Sequence, residues 1–153
     1  GLTTVVNGNC GLSVAPAGEK FEKEIAGFLS SVTGDSRNRG TEIMSTMSSY
    51  MSALEKERRS VNTGMLAGNG TIRAGVKGYA SGKLSKEEVH QVWDAVEESL
   101  TAGVLGISLG IAYAPEFEYD RDGLVEALQP LKGTDIPITT HIRNEGDGIL
   151  LAL

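Results

Sequence analysis

The chain has 153 residues, of which 40% are apolar, so it is long enough to bury a core and is not a disordered polymer. Its net charge of −6 argues against a nucleic-acid partner, which would require a basic face. No apolar run approaches the ~18 residues that a membrane helix needs. The single cysteine, Cys10, excludes an intramolecular disulfide and favours a reducing, cytoplasmic compartment.

The first half of the chain predicts two strands, two helices and a loop. A short β-branched run predicts a strand over Leu2–Val6, and Val61–Ala67 is predicted as a second strand. Apolar residues at helical spacing predict helices over Glu19–Val32 and Thr41–Glu57, and turn-forming residues predict a loop over Thr33–Gly40. The apolar stripe of the second helix is rich in methionine, which is typical of core packing: Ile43, Met44, Met47, Tyr50, Met51 and Leu54.

The clearest predicted helix covers Lys86–Ala102. Ser85 and Glu88 have the spacing of a capping box, in which each side chain satisfies a free backbone N–H group of the first turn. Gly103 suits the position after the last turn. The preceding segment, Thr71–Gly78, is ambiguous and is compatible with a short helix.

The last third of the chain continues this alternation. Val104–Ile111 and Pro137–His141 are predicted strands, Asp122–Leu131 is a predicted short helix, and Gly148–Leu153 predicts the start of another helix. The apolar face expected for the helix at 122–131 consists of Leu124, Val125 and Leu128. Strands that alternate with helices predict an α/β protein with a parallel sheet.

Three reactive side chains, Cys10, Tyr113 and His141, lie at or just after the carboxyl ends of predicted strands. In a β/α barrel the active site forms at that face, because the loops that follow the strands converge there. A thiolate and an imidazole suit a metal such as zinc, although two ligands do not complete a zinc site. His90, the other histidine, lies beside the apolar stripe of the helix Lys86–Ala102, where we expect a surface position.

Four segments, in order along the chain, resemble motifs of the N-acyl-D-amino-acid deacylases (D-aminoacylases), a family of the metal-dependent amidohydrolase superfamily. Gly1–Pro16 resembles the segment that follows the second barrel strand. Val61–Arg73, Ala102–Pro115 and Thr140–Glu145 are similar to the third-, fourth- and fifth-strand motifs. The resemblance implies a partial (β/α)8 TIM barrel of about four strand–helix units, with the whole chain belonging to the catalytic barrel.

The resemblance also implies roles for individual residues. Cys10 matches the metal-bound cysteine that replaces the bridging carboxylated lysine of other superfamily members, and His141 matches a metal-binding histidine. Tyr113 matches the tyrosine of a Tyr-x-Pro motif, which contacts the substrate near the scissile amide. Arg143 and Glu145 complete a His-x-Arg-x-Glu pattern, and we expect them to support the metal ligands.

The third-strand motif contains one departure from the family. This chain has Gly68-Asn69 where the family commonly has Gly-His, which suggests a divergent substrate. We expect Asn69 and Arg73, from the same motif, either to bind substrate or to support the residues that hold the metal.

The function implied is zinc-dependent hydrolysis of the amide of an N-acyl-D-amino acid, a small-molecule substrate. The family's His-x-His pair would precede Gly1, and a further histidine and a catalytic aspartate would follow Leu153, so we expect the chain to be an internal, inactive fragment. Its open sheet edges would favour pairing with another copy. The alternatives are a dihydroorotase-like or hydantoinase-like cyclic amidase and a non-catalytic α/β binding module.

Overall fold

A computed structural model describes residues 1–33 and 43–152 of the chain. Four parallel strands form one sheet in the order of the sequence: β1 (Thr4–Asn7), β2 (Asn62–Gly68), β3 (Gly106–Gly110) and β4 (Ile138–His141). The strands alternate with helices and form a half-barrel, which confirms the predicted parallel α/β fold and partial TIM barrel. The loop predicted at 33–40 lies outside the described residues, apart from Thr33.

Helices connect the strands, as parallel pairing requires. Their bounds are α1 (Glu22–Thr33), α2 (Met47–Lys56), α3 (Asn69–Lys77), α4 (Lys86–Thr101), α5 (Arg121–Ala127) and α6 (Ile149–Ala152), with single 3₁₀ turns at Glu116–Glu118 and Gln129–Leu131. The ambiguous segment at 71–78 is therefore helical, and its helix already begins at Asn69.

The main core lies between the sheet and helices α2 to α5. Met65 of β2 and Ile107 of β3 pack there with Val92 and Val96 of α4, and all four side chains are buried. A second cluster joins α1 to α3 through the buried residues Ile25, Leu29 and Ala74. Both clusters stabilise the outer layer of helices against the sheet and leave the carboxyl edge of the strands free for a site.

The helix predicted over Thr41–Glu57 starts later, at Met47, within the described residues. Met44 instead lies before the helix, where its N–H donates to the carbonyl of Val14 at 2.8 Å and its carbonyl accepts from the N–H of Ala17 at 2.9 Å. Thr46 then caps the helix by accepting from the N–H of Ser49. Backbone pairing with the segment after β1 therefore overrides the apolar period of residues 43 and 44.

The expected apolar face of the helix at 122–131 is partly wrong. Val125 is 56% exposed, whereas Ala127 is completely buried. The α-helix ends at Ala127, and a 3₁₀ turn over Gln129–Leu131 completes the segment. Leu124 and Leu128, four residues apart, pack against the core, whereas Val125 lies about 100° further round the helix from Leu124 and is exposed.

The capping box at the start of α4 is confirmed. The side chain of Ser85 accepts from the N–H of Glu88 at 3.2 Å, and the Glu88 carboxylate accepts from the N–H of Ser85 at 2.7 Å. Gly103 follows the last turn with φ = +91°, a conformation that suits glycine. The local sequence therefore sets both ends of this helix.

We expect Ser85→Ala to lower the free energy of unfolding by about 1 kcal/mol, because the N–H of Glu88 would lose its acceptor. Urea denaturation of the chain would measure the difference. Ser81→Ala is the matched control, since Ser81 is exposed in the preceding loop. Equal effects of the two substitutions would contradict the assignment of the stabilisation to the cap.

The outer strands of the sheet, β1 and β4, are largely exposed. Apolar side chains on or near them are exposed as well, including Leu2 at 72% and Ile138 at 46%. Pairing of copies through these edges stays a prediction. No helix within residues 1–33 and 43–152 is both long and apolar enough to cross a membrane.

Candidate functional site

Tyr113 connects the two predicted metal ligands at the carboxyl edge of the sheet. Its hydroxyl donates a hydrogen bond to the carbonyl oxygen of Cys10. Its ring meets the His141 imidazole edge-on, with the ring centroids 5.3 Å apart and an interplanar angle of 88°. The structure therefore brings together three residues that follow β1, follow β3 and end β4.

The loop that carries Cys10 crosses the ends of β2 and β3. Cys10 has φ = +58° and Gly11 has φ = +70°, so the chain turns sharply after β1. The N–H of Gly11 donates to the Ser108 hydroxyl of β3 at 3.0 Å, and its carbonyl accepts from Thr71 of α3 at 3.0 Å. These bonds fix the loop against two neighbouring strand–helix units.

A close backbone approach holds Cys10 beside Tyr113. A methyl group at Gly110, the last residue of β3, would overlap the carbonyl oxygen of Cys10 and lie 2.6 Å from the Tyr113 hydroxyl. A side chain at position 110 would therefore separate the two groups. The glycine at this strand end is needed for the Cys10–Tyr113 contact.

The two potential metal ligands are accessible. Cys10 is an exposed free thiol, and the His141 side chain is 38% exposed. Glu145, four residues after His141, places a carboxylate oxygen 3.7 Å from the imidazole Nε2 atom and is itself 65% exposed. Of Arg143 and Glu145, the two residues expected to support the metal ligands, Glu145 is therefore the one that lies near His141.

Arg143 points to a different segment. Its guanidinium donates to the carbonyl oxygens of Phe117, at 3.4 Å, and Tyr119. These residues belong to the turn that follows Tyr113. The described contacts therefore connect Arg143 with the segment of Tyr113 rather than with either potential metal ligand.

Asn69 and Arg73 lie inside the protein. Asn69 is completely buried and Arg73 is 1% exposed, both on α3. The Arg73 guanidinium donates to the carbonyl of Gly82 at 2.8 Å and lies over the Tyr119 ring, 5.3 Å from its centroid. Of the two roles expected for Asn69 and Arg73, these contacts favour support of the site over contact with substrate.

Glu116 is a site residue that the sequence did not reveal. Its side chain is 1% exposed and accepts hydrogen bonds from Asn69 Nδ2 at 2.7 Å and from the N–H of Gly110 at 2.6 Å. Burial raises the pKa of Glu116 to about 7, against the opposing effects of these bonds and of the Arg73 charge. The only local signal was an acidic residue directly after Pro115, which is common on surfaces.

Tyr113 is a hydrogen-bond donor at neutral pH. Burial raises the pKa of its hydroxyl above the ordinary value, and the neighbouring Cys10 acts in the same direction. A cleft of about 640 Å³ opens beside Cys10 and Tyr113, and its apolar wall includes Val6, Leu12 and Met65. A small organic molecule would fit such a space.

The donor atoms at this edge fit zinc, which binds thiolate and imidazole. Within residues 1–33 and 43–152, however, no group of three or more His, Cys, Asp and Glu side chains is arranged to hold a metal ion. Cys10 and His141 would therefore form part of a metal site. Cys10 and His141 therefore have the right chemistry to bind the expected zinc, but these two residues alone do not complete its site.

The half-barrel and the position of its site place the chain among the β/α-barrel proteins. The chain is 31% identical over 153 residues to a D-aminoacylase of Alcaligenes xylosoxydans xylosoxydans and 32% identical over 156 residues to an N-acyl-D-glutamate deacylase of the same organism. Each alignment covers 100% of this chain and 30% of the relative. The chain is thus a homologue of the D-aminoacylases over its whole length, and it spans about 30% of the length of these relatives.

Solved structures give the same assignment. A crystal structure of D-aminoacylase, described as defining a novel subset of amidohydrolases, matches with a TM-score of 0.80 and 28% identity over 99% of this chain and 31% of that one. An N-acyl-D-glutamate deacylase from Bordetella bronchiseptica, complexed with zinc and a phosphonate inhibitor, matches with a TM-score of 0.82 and 28% identity over 99% and 30%. No protein-family model matches the chain.

Proposed function

We propose that the chain contributes half of the active-site edge of a zinc-dependent amidohydrolase that cleaves the amide of N-acyl-D-amino acids. The observation that carries the proposal is the contact of Tyr113 with both Cys10 and His141 at the carboxyl edge of the half-barrel. Homology to D-aminoacylases and to N-acyl-D-glutamate and N-acyl-D-aspartate deacylases supports the substrate class. The cytoplasmic location expected from the sequence belongs to the same proposal.

Cys10 as a thiolate and His141 as a neutral imidazole would hold the metal. Zinc bound there would polarise the substrate carbonyl and lower the pKa of a bound water molecule. Two solved relatives support a metal cofactor, since one is described by its binuclear metal centre and the other was solved with zinc. Glu145, with a carboxylate oxygen 3.7 Å from His141 Nε2, would place a negative charge beside this ligand.

Tyr113 would donate a hydrogen bond to the oxygen that gains negative charge when the amide carbonyl is attacked. Its raised pKa keeps the proton on the hydroxyl. In the structure, this hydroxyl donates a hydrogen bond to the Cys10 carbonyl. The hydroxyl would change acceptors when substrate binds. A hydrogen-bond donor to such an oxygen contributes about 3 kcal/mol to the stability of a transition state.

The roles of the remaining predicted residues follow from their contacts. Arg143 would hold the turn after Tyr113 through the carbonyls of Phe117 and Tyr119. Arg73 would hold the same turn from beneath, because its guanidinium lies over the Tyr119 ring. Both residues would support Tyr113 and would not contact substrate.

The proposal is tested with Cys10→Ala and His141→Ala, made in the chain together with whatever flanking coding sequence its gene carries. We expect both substitutions to remove zinc, measured by elemental analysis, and to abolish hydrolysis of N-acetyl-D-amino acids. His90→Ala is the matched control, because His90 is exposed on α4. Unchanged zinc content and activity in Cys10→Ala would show that the proposal is wrong.

A further inference from the structure

Two buried polar side chains lie beneath the candidate site and take no part in the chemistry proposed above. Asn69 begins α3 directly after β2, and Glu116 lies in the 3₁₀ turn that follows β3. Asn69 is completely buried and Glu116 is 1% exposed, and the Asn69 Nδ2 atom donates to Glu116 Oε1 at 2.7 Å. The pair therefore joins two neighbouring strand–helix units through one hydrogen bond.

The second carboxylate oxygen of Glu116 contacts the end of β3 and the loop after β1. Oε2 accepts from the N–H of Gly110 at 2.6 Å. A methyl group at Gly11 would overlap this oxygen, and one at Gly70 would lie 2.9 Å from it. The carboxylate thus fills the space between the loop after β1, the start of α3 and the end of β3.

Gly110 lies between the Glu116 carboxylate and the Cys10–Tyr113 contact. It receives the Glu116 carboxylate through its N–H, and its Cα lies directly below the carbonyl of Cys10 and the hydroxyl of Tyr113. Gly11, which rests on the same carboxylate, is the residue after Cys10. A shift of Glu116 would therefore move the backbone on both sides of the Cys10–Tyr113 contact.

We propose that Glu116 and Asn69 are positioning residues, whose buried hydrogen-bonded contact holds the Cys10 loop against the Tyr113 turn. The importance of this positioning for catalysis rests on the proposed function. The positioning itself needs neither metal nor substrate. Removing the carboxylate would leave the Asn69 amide and the Gly110 N–H without their acceptor. Both groups would then have to rearrange beneath the site.

The test compares three variants of the chain: Glu116→Ala, Asn69→Asp, and the double variant Asn69→Asp with Glu116→Gln. Asn69→Asp places two carboxyl groups in contact, whereas the double variant restores one donor and one acceptor with their positions exchanged. The first measurement is amide hydrogen exchange by NMR, expressed as the rates at Gly11 and Tyr113 relative to the rate at Val96 in the distant core. The second is the rate at which a small aromatic disulfide reacts with Cys10, the single thiol of the chain.

In Glu116→Ala and Asn69→Asp we expect the exchange ratio to rise about 10-fold or more, because the opening would be local to the site. The Cys10 reaction rate should change in both variants, and the double variant should return both measurements to within about threefold of the wild-type values. One control should leave both unchanged. Glu118→Gln removes a carboxylate from the same turn, where it accepts a hydrogen bond from the N–H of Gly82.

A uniform increase of exchange at all amides, or a double variant no closer to wild type than Asn69→Asp, would overturn the inference. If the single variants do not fold, recovery of the far-UV circular dichroism spectrum in the double variant supports the pair, and failure to recover overturns it. The zinc content and hydrolysis measured for Cys10→Ala and His141→Ala test the proposed function and do not enter this test. A failure of the proposed function and a failure of this inference can therefore be told apart.

Discussion

Gly11→Ala is expected to lower the free energy of unfolding by roughly 3–5 kcal/mol, the upper range for a single substitution. Two effects combine at this position. The φ angle of +70° is unfavourable for any side chain, and the new methyl group would overlap Glu116 Oε2 and lie 2.7 Å from the backbone nitrogen of Gly110. The loop would have to leave its place on the sheet and would carry Cys10 with it.

Gly103→Ala separates the two effects. Gly103 has φ = +91°, yet a methyl group there would meet nothing within 4 Å. This control should cost only about 1–2 kcal/mol, the penalty of a left-handed conformation. Urea denaturation of both variants measures the difference, and equal losses would show that Gly11 is not closely packed against Glu116 and Gly110.

Local patterns and sheet topology explain which parts of the fold could be predicted from the sequence. The strand predicted at 2–6 and the helix predicted at 86–102 follow from local patterns, namely β-branched residues in one case and the Ser85–Glu88 capping box in the other. The position of Cys10, Tyr113 and His141 at one edge follows from topology alone, because parallel strands end on the same side. These features needed no knowledge of distant contacts.

The features that the sequence could not predict depend on residues far apart in the chain. Met44 lies outside α2 because its backbone pairs with Val14 and Ala17, and this pairing overrides the helical period. Glu116 is buried because Asn69, 47 positions earlier, and Gly110 donate hydrogen bonds to it. An acidic residue gives no local sign that it will be enclosed in this way.

The departure at Asn69 can be interpreted from the same contacts. The sequence suggested that asparagine at this position indicates a divergent substrate. Asn69 is completely buried and donates to Glu116, so its direct effect is on the packing beneath the site. Any influence on substrate choice would act through the positions of Cys10 and Tyr113.

The buried carboxyl group of Glu116 also predicts a pH dependence of stability. Burial raises its pKa to about 7 from an ordinary value of 4.5, so between these pH values the folded chain holds a proton that the unfolded chain has released. The stability from this group is fully present below about pH 4.5 and is lost as the pH rises to about 7. The loss amounts to about 3 kcal/mol, at 1.36 kcal/mol for each unit of pKa difference.

Urea denaturation at intervals between pH 4.5 and 7.5 measures this loss as a difference between the wild type and Glu116→Gln, which has the same shape and does not titrate. The wild type should lose stability relative to the variant across this range, whereas Glu118→Gln should follow the wild type. The charged and titratable groups that face Glu116 are Arg73 from α3, Tyr113 from the loop after β3 and Tyr119, which directly follows the 3₁₀ turn. If Arg73 and the hydrogen bonds from Asn69 and Gly110 outweighed burial, the pKa would fall below 4.5 and the wild type would instead gain stability with rising pH. The sign of the slope therefore decides whether burial or its compensating partners control the carboxyl group beneath the site.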